Sequence, residues 1–293
     1  MNSRETVLVT GSSSGFGRQI AETLARKGYS VFATMRNVAA KNAKSAREIL
    51  DLAKKESLDL HVLEMDVTQD DSVERAVADA VKKTGRIDVT VNNAGYGVMG
   101  LTEATTTEQV RRIMETNFFG AVRVNRAVLP WMRRQKSGLL LHISSGAGRL
   151  AIPGMAFYCA SKFALEAMAE TYRYELAPQG IDSVIVEPGA YPTEAFRNIE
   201  RAADSSRNET YGDVAAIADR LFGRLSATTA NTQEFVDAVV QIIETPAGQR
   251  KLRHRISASS LGVDDINEVC ERVQQQVLEA FGIAEITRYK TAD

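Results

Sequence analysis

Tyr158 and Lys162 stand four positions apart in the run Tyr158-Cys159-Ala160-Ser161-Lys162. On a helix, side chains at that spacing rise one turn apart from the same face. A free tyrosine keeps its proton up to a pKa of about 10, and a neighbouring ammonium favours the phenolate and lowers that value. A phenol tuned in this way can give a proton to a carbonyl oxygen or take one from an alcohol. Ser145, thirteen residues earlier, offers a hydroxyl that can bond the same oxygen and stabilise the charge growing there. A Tyr and a Lys at this spacing alone are usually an ordinary amphipathic surface pair, so their weight comes from their company. The N-terminal run Thr10-Gly11-Ser12-Ser13-Ser14-Gly15-Phe16-Gly17 holds a second chemistry. A glycine-rich turn between a strand and a helix lets the backbone approach a pyrophosphate resting on the helix N-terminus. Gly11 to Gly15 also read as G-x-S-x-G, with Ser13 as a hydrolase nucleophile and His142 or His254 as its partner. That alternative leaves the remaining motifs without a role.

The elements that must position these residues alternate along the chain. Short β-rich runs occur at 7–9, 30–34, 58–65, 87–91, 139–143 and 181–186, with helical stretches at 17–27, 39–55, 71–83, 107–134 and 155–176 between them. In the second helical stretch Ala39, Ala43, Ala46, Ile49, Leu50 and Ala53 recur at helical spacing. Gly28, Gly85, Gly138 and Gly180 fall where the other four helices would want a left-handed cap. Strands alternating with helices require crossovers, and right-handed crossovers build a doubly wound α/β fold around a parallel sheet. One domain is expected, with a core at 5–189 and 232–260. A polar segment at about 190–230 is read as a lid over the substrate, because it follows the carboxyl end of the sixth strand. Helices are expected at 214–225 and 232–245, and a last strand at 253–256. A tail helix at about 263–281 gathers Val263, Ile266, Val269, Cys270, Val273, Val277 and Phe281 on one face, which should be buried.

Taken together, these motifs resemble the short-chain dehydrogenase/reductase family over about residues 5 to 260. Thr10 to Gly17 is similar to its T-G-x-x-x-G-x-G signature, Asn92-Asn93-Ala94-Gly95 to its N-N-A-G, and Tyr158 to Lys162 to its Y-x-x-x-K. Ser144-Ser145 closes the fifth strand and Pro188-Gly189 the sixth. The resemblance implies a Rossmann fold and a nicotinamide-dependent oxidoreductase that interconverts a carbonyl and an alcohol. It makes Asn117, Ser145, Tyr158 and Lys162 catalytic, with Asn117 holding a water that feeds a proton relay to Lys162. It assigns to the cofactor Gly11, Ser13, Ser14, Gly15, Phe16, Gly17, Arg36, Asp66, Val67, Asn93, Ala94, Gly95, Tyr158, Lys162, Pro188, Gly189, Tyr191 and Thr193. Among these, Asp66 would meet the adenine and Thr193 the nicotinamide carboxamide, and the oxidised ring's positive charge would further favour phenolate at Tyr158. Tyr191-Pro192 departs from the aliphatic residue usual before the threonine. The hydroxysteroid and retinol dehydrogenase branch is the nearest in pattern. Sugar epimerases and enoyl reductases of this fold differ in glycine or Tyr–Lys spacing. A cofactor-binding sensor without turnover is the alternative from another class, although such a protein would not need all four catalytic residues.

Strand two continues as Met35-Arg36-Asn37, with no carboxylate where the hydroxyls of an NAD ribose would be met. Met35 would leave room there, and Arg36 can fork onto a 2′-phosphate with two charge-assisted bonds. NADP(H) is therefore the expected preference, with NAD(H) the second choice. The composition of the 293 residues fits a globular enzyme, at 44% hydrophobic and 25% charged. The near balance of 36 basic and 37 acidic residues gives no support to nucleic-acid binding. Two distant cysteines and three scattered histidines argue against a metal cluster or a disulfide framework. The start of the chain lacks a signal-peptide pattern, and no apolar run approaches a membrane span. A cytoplasmic protein is expected. The resemblance further implies a homodimer or homotetramer.

Overall fold

The structure, a computed structural model, describes residues 4–194, 199–257 and 261–290. Parts of the sequence expectations fall outside the described residues: the first three positions of the N-terminal segment, 195–198 of the lid and 258–260 of the core. Seven parallel strands form one sheet in the order β3-β2-β1-β4-β6-β7-β9. They are β1 (Thr6–Val9), β2 (Ser30–Met35), β3 (Leu60–Glu64), β4 (Val89–Asn92), β6 (Gly138–Ile143), β7 (Ile181–Pro188) and β9 (Arg253–Ile256). The sheet is covered on both faces, so its strands bury alternate side chains to opposite sides. Val7, Val9, Val31, Ala33, Leu139 and Leu141 pack against α1 (Gly15–Arg26), α2 (Ala43–Glu56) and α8 (Thr232–Glu244). Leu8, Phe32 and Leu140 point the other way, onto α3 (Asp70–Thr84), α5 (Gly120–Gln135) and α6 (Ala156–Leu176). Strand order reverses between β1 and β4, and a doubly wound sheet opens its ligand crevice at such a reversal. The glycine turn follows β1, and Asn93 to Gly95 follow β4, so both motifs meet there.

The alternation of elements matches the sequence reading, and the differences have local causes. The single helix expected over 107–134 is α4 (Thr107–Met114), a π turn at Glu115–Phe119 and then α5. Helix α2 begins at Ala43 rather than Ala39, after a turn in which the Ala43 N–H bonds the Ala40 carbonyl (3.2 Å). Gly138 is not the cap of α5. Lys136 takes the left-handed conformation (φ 52°), and Gly138 starts β6 so close to Met132 that an added Cβ would lie 2.6 Å from its sulfur. The segment 190–230 also has structure of its own. Within it β8 (Glu200–Arg201) pairs with β5 (Val98–Met99), and a 3-10 stretch (Ser205–Ala216) leads into α7 (Ile217–Ser226). The tail helix α9 spans Val263–Ala280.

Candidate active site

The glycine turn is built by close approach. A Cβ on Gly17 would lie 2.4 Å from Asn93 Nδ2 and 2.5 Å from the Gly11 carbonyl oxygen, so no side chain fits there. Gly11 holds φ +68° with its missing Cβ 2.9 Å from the Ala94 Cα, a conformation and a proximity that glycine tolerates best. Asn93 ties the two loops by donating from Nδ2 to the carbonyls of Thr10 (2.8 Å) and Gly11 (3.2 Å), while Thr10 Oγ1 accepts from the N–H groups of Asn93 and Ala94 (3.0 Å each). Ser14 is the N-cap residue of α1, yet its side chain makes no cap bond. Ser13, Ser14 and Gly15 stay partly exposed, and Thr193 lies over Gly15, 3.8 Å from where its Cβ would be. A crowded glycine cradle, a helix N-terminus and an unspent hydroxyl fit a dinucleotide pyrophosphate.

The four residues expected to be catalytic come together around the end of β6. Ser145 follows β6 and accepts from the Ala147 N–H (3.1 Å). Tyr158 and Lys162 rise from the first turns of α6 on one side, with Lys162 Nζ 5.8 Å from the Tyr158 ring centroid. Lys162 is buried and donates to the Ile143 carbonyl (2.8 Å). Asn117 sits in the π turn, a helical irregularity frequent at functional sites. Its Oδ1 accepts from the Tyr96 N–H, and its Nδ2 donates to the Tyr96 carbonyl and Ser161 Oγ, all at 3.0 Å. Ser161 Oγ in turn donates to the Tyr158 carbonyl (2.7 Å). The Asn117 carboxamide is thus spent on positioning the loop after β4 and the start of α6. A Cβ on Gly95 would meet Asn117 Oδ1 at 3.1 Å and Lys162 Nζ at 3.7 Å, which places these two groups side by side.

Burial sets the proton affinities. Desolvation holds the Tyr158 phenol above its ordinary pKa, a Ser145 hydrogen bond opposes this, and Cys159 adds to it. This corrects the expectation that Lys162 depresses Tyr158: loss of water dominates, and the ammonium is bonded to Ile143 instead. Lys162 itself falls from 10.5 to about 8 through burial, with Glu166 pulling the other way. His142 lies in the sheet centre and is lowered to about 3 by burial and by Lys162. Asn92 Nδ2 is 3.4 Å from its Nδ1, while His254 Nε2 faces the Lys251 carbonyl. Neither histidine is placed to serve Ser13.

The sequence profile of the short chain dehydrogenases matches residues 5–204. The chain belongs to the short-chain dehydrogenase family. It is an NAD(P)-dependent oxidoreductase and shares 37% identity over 209 residues with a 3-ketodihydrosphingosine reductase of Bacteroides thetaiotaomicron (71% of this chain, 72% of the relative). Human retinol dehydrogenase 8 is 40% identical over 253 residues, covering 82% of this chain and 78% of its own. A solved short-chain dehydrogenase from Streptomyces avermitilis superposes with a TM-score of 0.77 at 30% identity, covering 96% and 98% of the two chains.

In this short-chain dehydrogenase a cavity of about 410 Å³ opens at the end of β6, lined by Ser145 and Tyr158 and by apolar residues such as Leu150, Ile152, Met155 and Leu225. Several expected cofactor residues do other work as well. Tyr191 is 5% exposed and packed with Phe16 and Phe235, its hydroxyl on the Ile256 carbonyl (3.3 Å), so its ring belongs to the core. Phe16 stacks on Phe235 (3.9 Å) and also lines the cavity. Asp66 Oδ1 accepts from the Thr68 N–H (3.0 Å) and hydroxyl (2.8 Å), closing a turn, and Val67 packs on Gly120. Gly189 bonds the Ile256 carbonyl (3.1 Å) and, with Pro188, lines the cavity. Arg36 is exposed, with its carbonyl fixed by Asn42 Nδ2 (2.6 Å), and it lies within electrostatic reach of the Tyr96 phenol on the crevice side. Met35, by contrast, is 2% exposed and part of the core, so it is not open ground beside a ribose. Sequence reasoning missed Tyr96, Ser161 and Glu187. The signals were their places next to N-N-A-G, inside Y-x-x-x-K and before Pro188-Gly189.

Proposed function

We propose that this enzyme reduces a ketone or aldehyde carried on a large apolar molecule, with NADPH as the preferred reductant and Tyr158 as the proton donor. The observation that carries this reading is the cavity wall, where the Tyr158 and Ser145 hydroxyls stand among apolar side chains. Burial keeps Tyr158 protonated, the state required to give a proton to a carbonyl oxygen. The Ser145 hydroxyl lines the same cavity wall as that phenol and is placed to hold the substrate oxygen as charge builds on it. Lys162 keeps a positive charge below about pH 8, one helical turn from the phenol with Nζ 5.8 Å from the ring centroid, and its bond to the Ile143 carbonyl fixes the end of β6 against α6. Asn117 and Ser161 hold α6 against the loop after β4. The nicotinamide, when bound, supplies the hydride. Gly11 to Gly17, Asn93 to Gly95, Pro188, Gly189 and Thr193 are the residues to hold the cofactor, with Asp66 and Val67 at the adenine. Arg36 is the residue to select NADPH, because it directly follows β2 and its side chain is exposed there.

The relatives' names, 3-ketodihydrosphingosine reductase and retinol dehydrogenase, both denote carbonyl–alcohol chemistry on lipids, and they support a long apolar substrate here. Ile199, Leu225 and Thr228 reach the cavity from the 190–230 segment, which supports its role as a lid. Exposed Phe119 and Phe163 support self-association. A panel of long-chain 3-ketones, retinals, steroid ketones and sugars, read by NADPH absorbance, tests the reading. Turnover confined to the apolar carbonyls is expected. Cofactor binding without oxidation on any carbonyl would overturn it in favour of a non-catalytic binder.

A further inference from the structure

Helix α9 lies wholly beyond the residues matched by the family profile, and its packing is unusual for an amphipathic helix. Among its residues only Val263, Asn267 and Leu278 are buried, while Val269 and Val273 of the expected inner face are about half exposed. An apolar stripe therefore does not hold this helix. Two polar contacts do so at its start. Asn267, 8% exposed, donates from Nδ2 to Glu187 Oε2 at 2.7 Å, and Glu187 is fully buried in the cavity wall. Arg255 Nε reaches both oxygens of Asp264, at 2.8 and 2.7 Å.

The helix start is where the cavity is. Val263 is 3% exposed and lines the cavity, and its Cγ2 lies 3.7 Å from where a Cβ on Gly146 would be. Gly146 is the residue after Ser145, so Val263 stands one residue from the hydroxyl that is to hold the substrate oxygen. Glu187 cannot turn to water. Burial and the neighbouring Glu166 carboxylate both push its carboxyl up, and Arg253 Nε lies 3.7 Å from Oε1. A buried acceptor that loses its donor pays the full desolvation penalty, so the Asn267 bond fixes the helix strongly at this one point. Elsewhere α9 buries little, and segments with few buried contacts open most easily.

We propose that α9 is the substrate-selecting wall of the pocket, pinned by Asn267 on Glu187, with Val263 as the residue that limits what enters beside Ser145. The proposal deepens the reading of this cavity as the site for an apolar carbonyl compound and rests on it.

The test uses two fluorescent naphthyl ketones that differ only in acyl length, prodan (propionyl) and laurdan (dodecanoyl), with the 293-residue chain saturated with NADP+, so that neither ketone is reduced during the titration. In Val263→Trp, overfilling the wall should weaken prodan binding by about tenfold or more, with NADPH affinity held within about twofold. Val263→Ala cannot clash and should shift the preference towards laurdan by about threefold. In Asn267→Ala, hydrogen exchange of peptides from 263–280 should accelerate at least about tenfold while peptides of β1 and β4 stay protected. Unchanged ketone affinities in both Val263 variants, unchanged exchange of α9 in Asn267→Ala, or a wild-type chain that binds neither ketone would each overturn the wall. A wild-type chain that binds both ketones under Val263 control but reduces no carbonyl would uphold the wall and sink the proposed reaction instead.

Discussion

Replacing Lys162 by Met should make the protein more stable and nearly inactive, and the pH dependence identifies the reason. Met has about the same length and no charge, so packing is largely kept. In the wild type, burial brings the Lys162 ammonium from 10.5 to about 8. At ~1.4 kcal/mol per pKa unit this gap corresponds to a penalty of about 3 kcal/mol on the folded state at neutral pH. Loss of the bond to the Ile143 carbonyl (2.8 Å) returns about 1–2 kcal/mol of that. The variant should therefore gain about 1–2 kcal/mol at pH 7, or a few degrees in melting temperature. The penalty belongs to the charged folded lysine, so it is fully present below pH 8. From about 8 to 10.5 the unfolded chain keeps a proton that the folded chain has released, and wild-type stability rises with pH relative to the variant. Urea midpoints of both proteins at pH 7 and pH 10.5 measure this, because groups common to both cancel in the difference. The variant's lead should vanish or reverse by pH 10.5. Wild-type kcat/KM should in turn fall as pH rises through about 8, and the variant should lose at least ~10²-fold at pH 7. A variant less stable than wild type at pH 7, or a lead that persists unchanged to pH 10.5, would refute the reasoning.

Two further outcomes follow from the cofactor crevice. Arg36→Leu should lower kcat/KM for NADPH by about 10–100-fold, the worth of a charged hydrogen bond, and leave NADH almost unchanged; an unaltered NADPH/NADH ratio would remove Arg36 from that role. Met35→Asp is a poor probe by comparison, since Met35 is buried in the core and a carboxylate there would cost stability. Gly17→Ala must displace either Asn93 Nδ2 or the Gly11 carbonyl, at 2.4 and 2.5 Å from the new methyl. It should weaken NADPH binding by about 10-fold or more, with a stability loss of about 1–3 kcal/mol, read by cofactor fluorescence titration and thermal melting.

The fold was legible because a parallel sheet buried on both faces writes itself as short apolar runs between helical patterns. The candidate site was legible because Tyr158 and Lys162 are neighbours in sequence as well as in space. What escaped reading depended on contacts between distant segments. A π turn inserts one extra residue without altering composition, so Asn117 looked like a mid-helix residue when it sits at an irregularity and clamps Tyr96 and Ser161. The direction of the Tyr158 shift depends on how far water is excluded, and spacing along one helix does not report that. Helix α9 misled in a similar way: its apolar positions suggested a buried face, whereas one asparagine on a buried glutamate eighty residues away holds it. Residues 189 to about 212 read as loop by composition, yet Glu200 and Arg201 pair in parallel with the short strand that follows the N-N-A-G turn.

The most direct test of the proposed chemistry is Tyr158→Phe, which keeps the ring and its burial and removes only the hydroxyl. The measurement is kcat/KM for the best carbonyl found in the panel, together with the NADPH dissociation constant of the same variant. A loss of ~10²–10⁴-fold in turnover with cofactor affinity nearly unchanged is the expected result. Retention of most of the activity would contradict the assignment of Tyr158 as the proton donor.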